Sequence, residues 1–275
     1  MSPMRPLVIR SALVASIGGL VFGFDTAVIS GTTEQLKSYF DLSDAYLGWA
    51  VGMALLGTIL GALTAGKPAD RYGRKPVLFV IGILYMAGAL GSAFANDIIT
   101  LEIFRFLGGI GVGAASVCAP IYTAEIAPAK VRGRLVGLVQ FNIVLGILLA
   151  YLSNTIVRAV VNDTETDWRW MFGVMAIPAA IFLIMLFSVP ETPRWLMANG
   201  QEQAGRDVIA KLTTSKEEAD FQIMEIDSSL AAAEKALILA TLRASRTKAL
   251  TARRLGITRR TLYQKLARYP VGSGV

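Results

Sequence analysis

Apolar residues run in blocks too long to be one face of a soluble helix. Six stretches, roughly residues 9–30, 45–66, 76–95, 98–119, 135–157 and 170–190, are each nearly unbroken hydrophobic sequence. A hydrocarbon core about 30 Å thick is crossed by about 20 helical residues, so each stretch has the length of a membrane span. No charge interrupts Val77 to Ala95, Leu135 to Val157 or Trp170 to Pro190. The first stretch is too long for a cleavable leader and is followed by acidic, aromatic sequence in place of a small-residue cleavage site. Beyond residue 200 the pattern turns polar with helical recurrence. There Ser215 and Glu218 form a capping box ahead of Phe221, Ile223, Met224 and Ile226.

The polar positions between the spans set an orientation. Arg5 and Arg10 precede the first span; Lys67, Arg71, Arg74 and Lys75 lie between the second and third; Lys130, Arg132 and Arg134 lie between the fourth and fifth. The alternate loops carry Glu34, Asp41 and Asp44, then Asp97, then Asp163, Glu165 and Asp167. Basic loops stay in the cytoplasm, which places both termini there in a multi-pass inner or plasma membrane protein. Trp168 and Trp170 stand where an interfacial aromatic anchor is expected. Gly48/Gly52 and Gly57/Gly61, at four-residue spacing, predict close helix packing.

Composition narrows the chemistry. Only 17% of the 275 residues are charged and 54% are hydrophobic, with a mean hydropathy of +0.54. Histidine is absent, which excludes triads and zinc sites built on it, and the single Cys118 reads as a packing residue. Nothing implies a cofactor or an enzyme. Gly61, Gly66 and Lys67 match the start of a phosphate-binding loop, but Pro68 replaces the Ser/Thr and the segment ends a span instead of following a strand. The net charge of +7 is unevenly divided: residues 1–234 hold 17 Lys/Arg against 20 Asp/Glu, and residues 235–275 hold ten Lys/Arg and no acid.

Three ionisable residues interrupt the spans: Asp25, Glu102 and Arg105. A charge at mid-bilayer costs at least about 2.5–3.5 kcal/mol on insertion scales, so each needs a reason. Glu102, near a helix end, is expected to reach the interface. Asp25 and Arg105 are expected to face the interior and offset each other. Chemistry alone leaves two readings open, a structural ion pair and a proton relay in which Asp25 neutralises while Arg105 cannot.

Several motifs in order then resemble one family. Gly66-Lys-Pro-Ala-Asp-Arg-Tyr-Gly-Arg-Lys75 has the form of the loop between spans two and three of major facilitator transporters. Arg105-Phe-Leu-Gly-Gly-Ile-Gly-Val-Gly113, followed by Pro120, Tyr122, Glu125 and Arg132-Gly133, resembles the fourth-span signature of the sugar porter family. Pro190-Glu-Thr-Pro-Arg-Trp-Leu196 and Phe22-Gly-Phe-Asp-Thr-Ala-Val-Ile-Ser-Gly31 resemble its motif after span six and its first span. The resemblance covers residues 9 to about 235. It implies that Asp25 is the protonatable carboxylate of a proton-coupled porter, with Arg105 as partner, and that Gln140 hydrogen-bonds sugar hydroxyls. Ile147 stands where some proton-coupled members have a second glutamine, so the resemblance names no particular sugar. It also implies that Asp70, Arg71, Arg74, Glu125, Arg132, Glu191 and Arg194 form cytoplasmic ion pairs that hold the outward-open state and break on rocking. The alternative for these residues is plain positive-inside topology with helix capping.

The basic tail has another pattern. Ala252, Gly256 and Ile257 have the spacing of a helix-turn-helix, Thr258 can cap the next helix, and Leu262 and Leu266 form an inward pair. Arg259, Arg260, Tyr263 and Gln264 would then be candidates to face a major groove. Leu255-Gly-Ile-Thr-Arg-Arg-Thr-Leu-Tyr-Gln-Lys-Leu266 resembles the Fis-type domain that ends many bacterial enhancer-binding activators, and Glu234 to Leu242 resembles its preceding helix. A lipid-bound basic juxtamembrane segment is the competing reading.

The expected protein is all-helical. Residues 1–196 form a six-transmembrane-helix half of a major facilitator fold, 197–233 an intracellular helical segment, and 234–275 a basic C-terminal helix-turn-helix. The expected function is that of a sugar transporter derived from a proton–sugar symporter and lacking the second six-span half. Its partners would be sugar, proton, the lipid bilayer and a second copy or a missing half. The alternatives are a membrane-tethered regulator that binds DNA, or a truncated or fused product without function.

Overall fold

The computed structural model describes residues 4–161, 163, 165–245 and 247–268, and every element among them is helical. The order is α1 (Pro6–Val28), a short 3-10 turn at Ile29–Gly31, α2 (Thr33–Tyr39), α3 (Asp44–Thr64), α4 (Gly66–Tyr72), α5 (Arg74–Ala93), α6 (Ile98–Ile126) and α7 (Arg132–Val160). It continues with α8 (Asp167–Val174), α9 (Ala176–Leu186), α10 (Pro193–Ala198), α11 (Glu202–Leu212), α12 (Lys216–Arg243), α13 (Lys248–Arg254) and α14 (Arg259–Arg268). Two compact units divide the chain, Met1–Lys216 and Glu217–Val275.

Six helical segments of the first unit are long and apolar enough to cross a membrane: Pro6–Gly31, Asp44–Thr64, Arg74–Ala93, Ile98–Ile126, Arg132–Val160 and Asp167–Leu186. The fourth runs past the expected end at residue 119, because Pro120 sits inside α6 without stopping it. Beyond it Tyr122 is fully enclosed and donates to the Pro190 carbonyl (2.7 Å), and the Thr123 hydroxyl donates within α6 to the Ala119 carbonyl (2.9 Å). The sixth is broken at Met175, between α8 and α9. Pro178 has no N–H to return to the Val174 carbonyl, so the chain makes a tighter step in which Met175 N–H donates to Phe172 O (3.1 Å).

The spans pack through glycine. A Cβ at Gly57 or Gly61 would strike the backbone carbonyl of Phe106 or Ile110, and one at Gly109 or Gly113 that of Ala54 or Thr58. The α3 and α6 backbones therefore touch. Gly48 and Gly52 do no such packing, since a Cβ at either meets nothing within 4 Å. Trp168 also departs from expectation. It is fully buried among Tyr39, Phe40 and Phe172, with its indole N–H on Glu165 O (3.0 Å), whereas Trp170 is exposed. Residues such as Leu55, Ile59 and Leu63 of α3 and Phe141, Leu148 and Leu152 of α7 face outward, an exterior suited to lipid.

In the second unit, α12 runs unbroken through residues 230–236, where the two sequence patterns abut. Ile238, Ala252 and Leu262 form a small core with Leu255, Ile257 and Leu266 packed against it. Gly256, at φ +66°, makes the turn between α13 and α14, and Thr258 Oγ1 accepts from Thr261 N–H (3.1 Å). Arg254 donates to the Ala244 carbonyl at the end of α12 (2.9 Å).

Candidate functional site

Asp25 lies in the last turn of α1 and Arg105 in the third turn of α6, each 3% exposed. The Arg105 guanidinium donates to Asp25 Oδ1 at 2.5 Å. The Phe172 ring of α8 covers the cation at 5.3 Å, and Tyr85 of α5 is bonded to Gly18 O in α1 (3.1 Å). The pair thus sits among four helices with little water to screen it. Glu102 is enclosed by protein. It is 8% exposed, one turn before Arg105, and its Oε1 has no hydrogen-bond partner.

A cleft of about 580 Å³ opens between α1, α6 and α7, reaching Phe22 one turn along α1 from Asp25. Gln140 lines it with Gly19, Phe22, Ser116, Pro120 and Ile143, so an exposed side-chain amide faces a largely apolar wall. That is the composition of a small polar ligand's subsite: apolar surface for a ring face and few placed hydrogen-bonding groups. Asp25, one turn along α1 from Phe22, does not itself line the cleft. Ile147, one turn beyond Ile143 on α7, is partly buried against the core around Phe24 and Ala150.

A second polar cluster gathers where α4, α5, α6 and α10 meet. Arg74 binds Glu125 through Nη2–Oε1 and Nε–Oε2, both 3.1 Å, and Asp70 at 3.0 Å, and donates to Ala69 O at 2.9 Å. Thr192 Oγ1 donates to Glu125 Oε2 (2.6 Å). Glu191 accepts from the backbone N–H groups of Arg74 (3.1 Å), Lys75 (3.0 Å) and Thr192 (2.7 Å), clasping the start of α5 to the start of α10. Gly73 permits this, at φ +103° and with the space of a Cβ taken by the Glu191 carboxylate. Burial pushes the Glu191 carboxyl above the ordinary carboxylate range, against the pull of those N–H groups.

Not all the expected partners join. Arg71 stacks over Tyr72 at 5.3 Å and Arg194 is exposed, and neither is in an ion pair among the described residues. Arg132 opens α7. In the second unit Arg259, Arg260, Tyr263 and Gln264 are all exposed on α14, with Lys248 over the Tyr263 ring at 5.7 Å. Sequence reasoning missed Thr192 and two links between α1 and α7: Asn142 donates to Ser16 Oγ (2.6 Å) and Asn154 to Val28 O (3.1 Å). An asparagine inside an apolar span was the available signal, because amides there seek partners on neighbouring helices.

The six membrane-capable helices and these two clusters have the make-up of a membrane transporter, and comparison agrees. Residues 11–263 match the family model described as "Sugar (and other) transporter". The chain belongs to this family, whose members are transporters and not enzymes. It is 42% identical over 207 residues to a glucose transport protein of Synechocystis, covering 72% of this chain and 44% of that protein. It is 38% identical over 229 residues to the D-xylose-proton symporter of Escherichia coli K12, covering 73% and 47%. The structure of the proton:xylose symporter XylE bound to 6-bromo-6-deoxy-D-glucose matches with a TM-score of 0.80 and 35% identity, over 89% of this chain and 57% of that one. The chain spans about half the length of the curated relatives it matches.

Proposed function

We propose that the chain supplies the amino-terminal half of a proton-coupled sugar symporter. The observation that carries this is a buried, protonatable carboxylate, Asp25, held by Arg105 one turn from a cleft that presents Gln140. Relatives named for transport of glucose, xylose and arabinose, two of them as proton symporters, support a monosaccharide as the cargo. Protonating Asp25 releases its hold on Arg105 and loosens α1 from α6. Gln140 contributes hydrogen bonds to sugar hydroxyls, and a second six-span half or a second copy closes the other side of the site. The basic loops, the cluster around Arg74 and both termini face the cytoplasm. There Asp70, Arg74, Glu125 and Glu191 latch one state, with Arg71, Arg132 and Arg194 supplying the positive rim.

Vesicles containing the full chain test this with labelled xylose and glucose under an inward proton gradient. Gradient-driven uptake that disappears in Asp25→Asn is the expected result. Uptake equal to that of empty vesicles removes transport by this chain alone.

A second role is proposed for the tail, as a DNA-contacting helix-turn-helix after a membrane anchor. It is supported by the left-handed Gly256 between α13 and α14 and by the row of exposed Arg259, Arg260 and Gln264. Detergent-solubilised full chain should retain duplex DNA in a sequence-dependent manner that Arg259→Ala and Arg260→Ala weaken. Retention that is insensitive to both changes and collapses with salt alone rejects base readout and leaves only phosphate attraction.

A further inference from the structure

Arg105 carries a charge it cannot shed, and among the described residues its ion pair is with Asp25 alone. The proposed coupling requires Asp25 to take up a proton. At that moment a guanidinium that is 3% exposed loses its counter-ion inside the bundle, and a lone buried cation is strongly destabilising. Glu102 stands three residues before Arg105 on α6, on the same helix face. It is 8% exposed, and its Oε1 and the Arg105 Nε are both buried without a partner.

We propose that Glu102 is the reserve counter-ion of Arg105. With Asp25 ionised, Arg105 bonds Asp25; with Asp25 protonated, the guanidinium turns one helical turn to Glu102, and it returns when the proton leaves. The proton comes from water, forms its O–H bond on the Asp25 carboxylate and departs by the same atoms. When Arg105 turns to it, Glu102 supplies the negative charge that Asp25 has given up. Among the described residues, the other groups around it are these. From α3, Tyr46 stands beside Glu102; from α5, Tyr85 is engaged by Gly18 O; from α8, the Phe172 ring covers the guanidinium. Asp167, the other buried carboxylate among the described residues, accepts from Gln35 at the start of α8 (3.5 Å). The buried residues of α7 include no ionisable side chain.

This assignment rests on reading Asp25 as the proton site, and its test separates the two. Asp25→Asn imitates the protonated state. Thermal unfolding of the purified full chain in detergent should show that Glu102→Gln alone shifts the midpoint little. In the Asp25→Asn background it should lower the midpoint by about 5 °C or more beyond the sum of the two single changes. Glu102→Asp in that background should keep most of the stability. If the double variant does not fold, adding Arg105→Leu should restore it, because no cation then needs a partner; failure to restore overturns the proposal. Additive shifts overturn it as well, even if Asp25→Asn abolishes proton-driven uptake. Non-additive shifts with uptake unaffected by Asp25→Asn uphold the reserve counter-ion and overturn only the proton-site reading.

Discussion

Arg105→Leu should destabilise the six-span unit by about 3–5 kcal/mol, the usual cost of removing one partner from a buried ion pair. The side chains of Arg105 and Asp25 are 4% and 5% exposed and meet at 2.5 Å. The leucine fills much of the space but leaves Asp25 facing no cation and Phe172 no guanidinium. The double change Asp25→Leu/Arg105→Leu should recover most of the loss, because the desolvation of both charges is removed together with their attraction. Denaturant or thermal unfolding of the purified chain in one detergent measures all three variants. If Arg105→Leu is within about 1 kcal/mol of the parent, the pair is not the lock between α1 and α6 that its geometry implies. If instead the double variant is as unstable as the single, packing and not charge accounts for the effect.

The contrast between this pair and Glu102 marks how far the sequence could be read. Six spans follow from hydrophobic length, and Asp25 and Arg105 stand out because charge in an apolar run is expensive wherever it points. Pattern does not reveal direction. Glu102 is the fifth residue of α6, where a carboxylate is expected to reach water, yet it is buried with Tyr46 of α3 beside it. Trp168 fails for the same reason: its place at a span end suits an interfacial anchor, but Tyr39 at the end of α2 and Phe40 just beyond it cover it.

The polar cluster around Arg74 was legible in part. Spacing brought Asp70 and Arg74 onto one helical turn, but Glu125 and Glu191 join them only through the tertiary fold. Arg194 belongs to the same motif as Glu191 by sequence and still points to solvent, because Pro193 starts α10 and turns the next side chain away from the clasp. Motif membership therefore identifies the neighbourhood, and backbone geometry decides which members touch. In the tail, by contrast, local rules carry most of the outcome. A small core of Ile238, Ala252 and Leu262 and one left-handed glycine are short-range features, and they lie where apolar spacing and Gly256 place them.

Gly113→Val should cost the first unit about 3 kcal/mol or more, at the upper end of overpacking effects. A Cβ at Gly113 would strike the Thr58 carbonyl oxygen and come within 2.7 Å of both Thr58 C and Ala62 N. All three are backbone atoms of α3, so no side chain can swing aside; α3 must move away from α6 and loosen the contacts at Gly57, Gly61 and Gly109 together. Gly52→Val is the matched control, since the space around that Cβ is open, and a surface change of this kind stays within about 0.5 kcal/mol. Alanine sharpens the comparison by sign. Its helix propensity exceeds that of glycine by about 0.8–1.0 kcal/mol in water, so Gly52→Ala should be neutral or stabilising while Gly113→Ala, which adds only the clashing methyl, destabilises. Unfolding midpoints in one detergent decide the matter. Equal effects at the two positions would mean that α3 and α6 are not in backbone contact. Opposite signs would show that a spacing the sequence repeats three times along these helices is structural at some positions and idle at others.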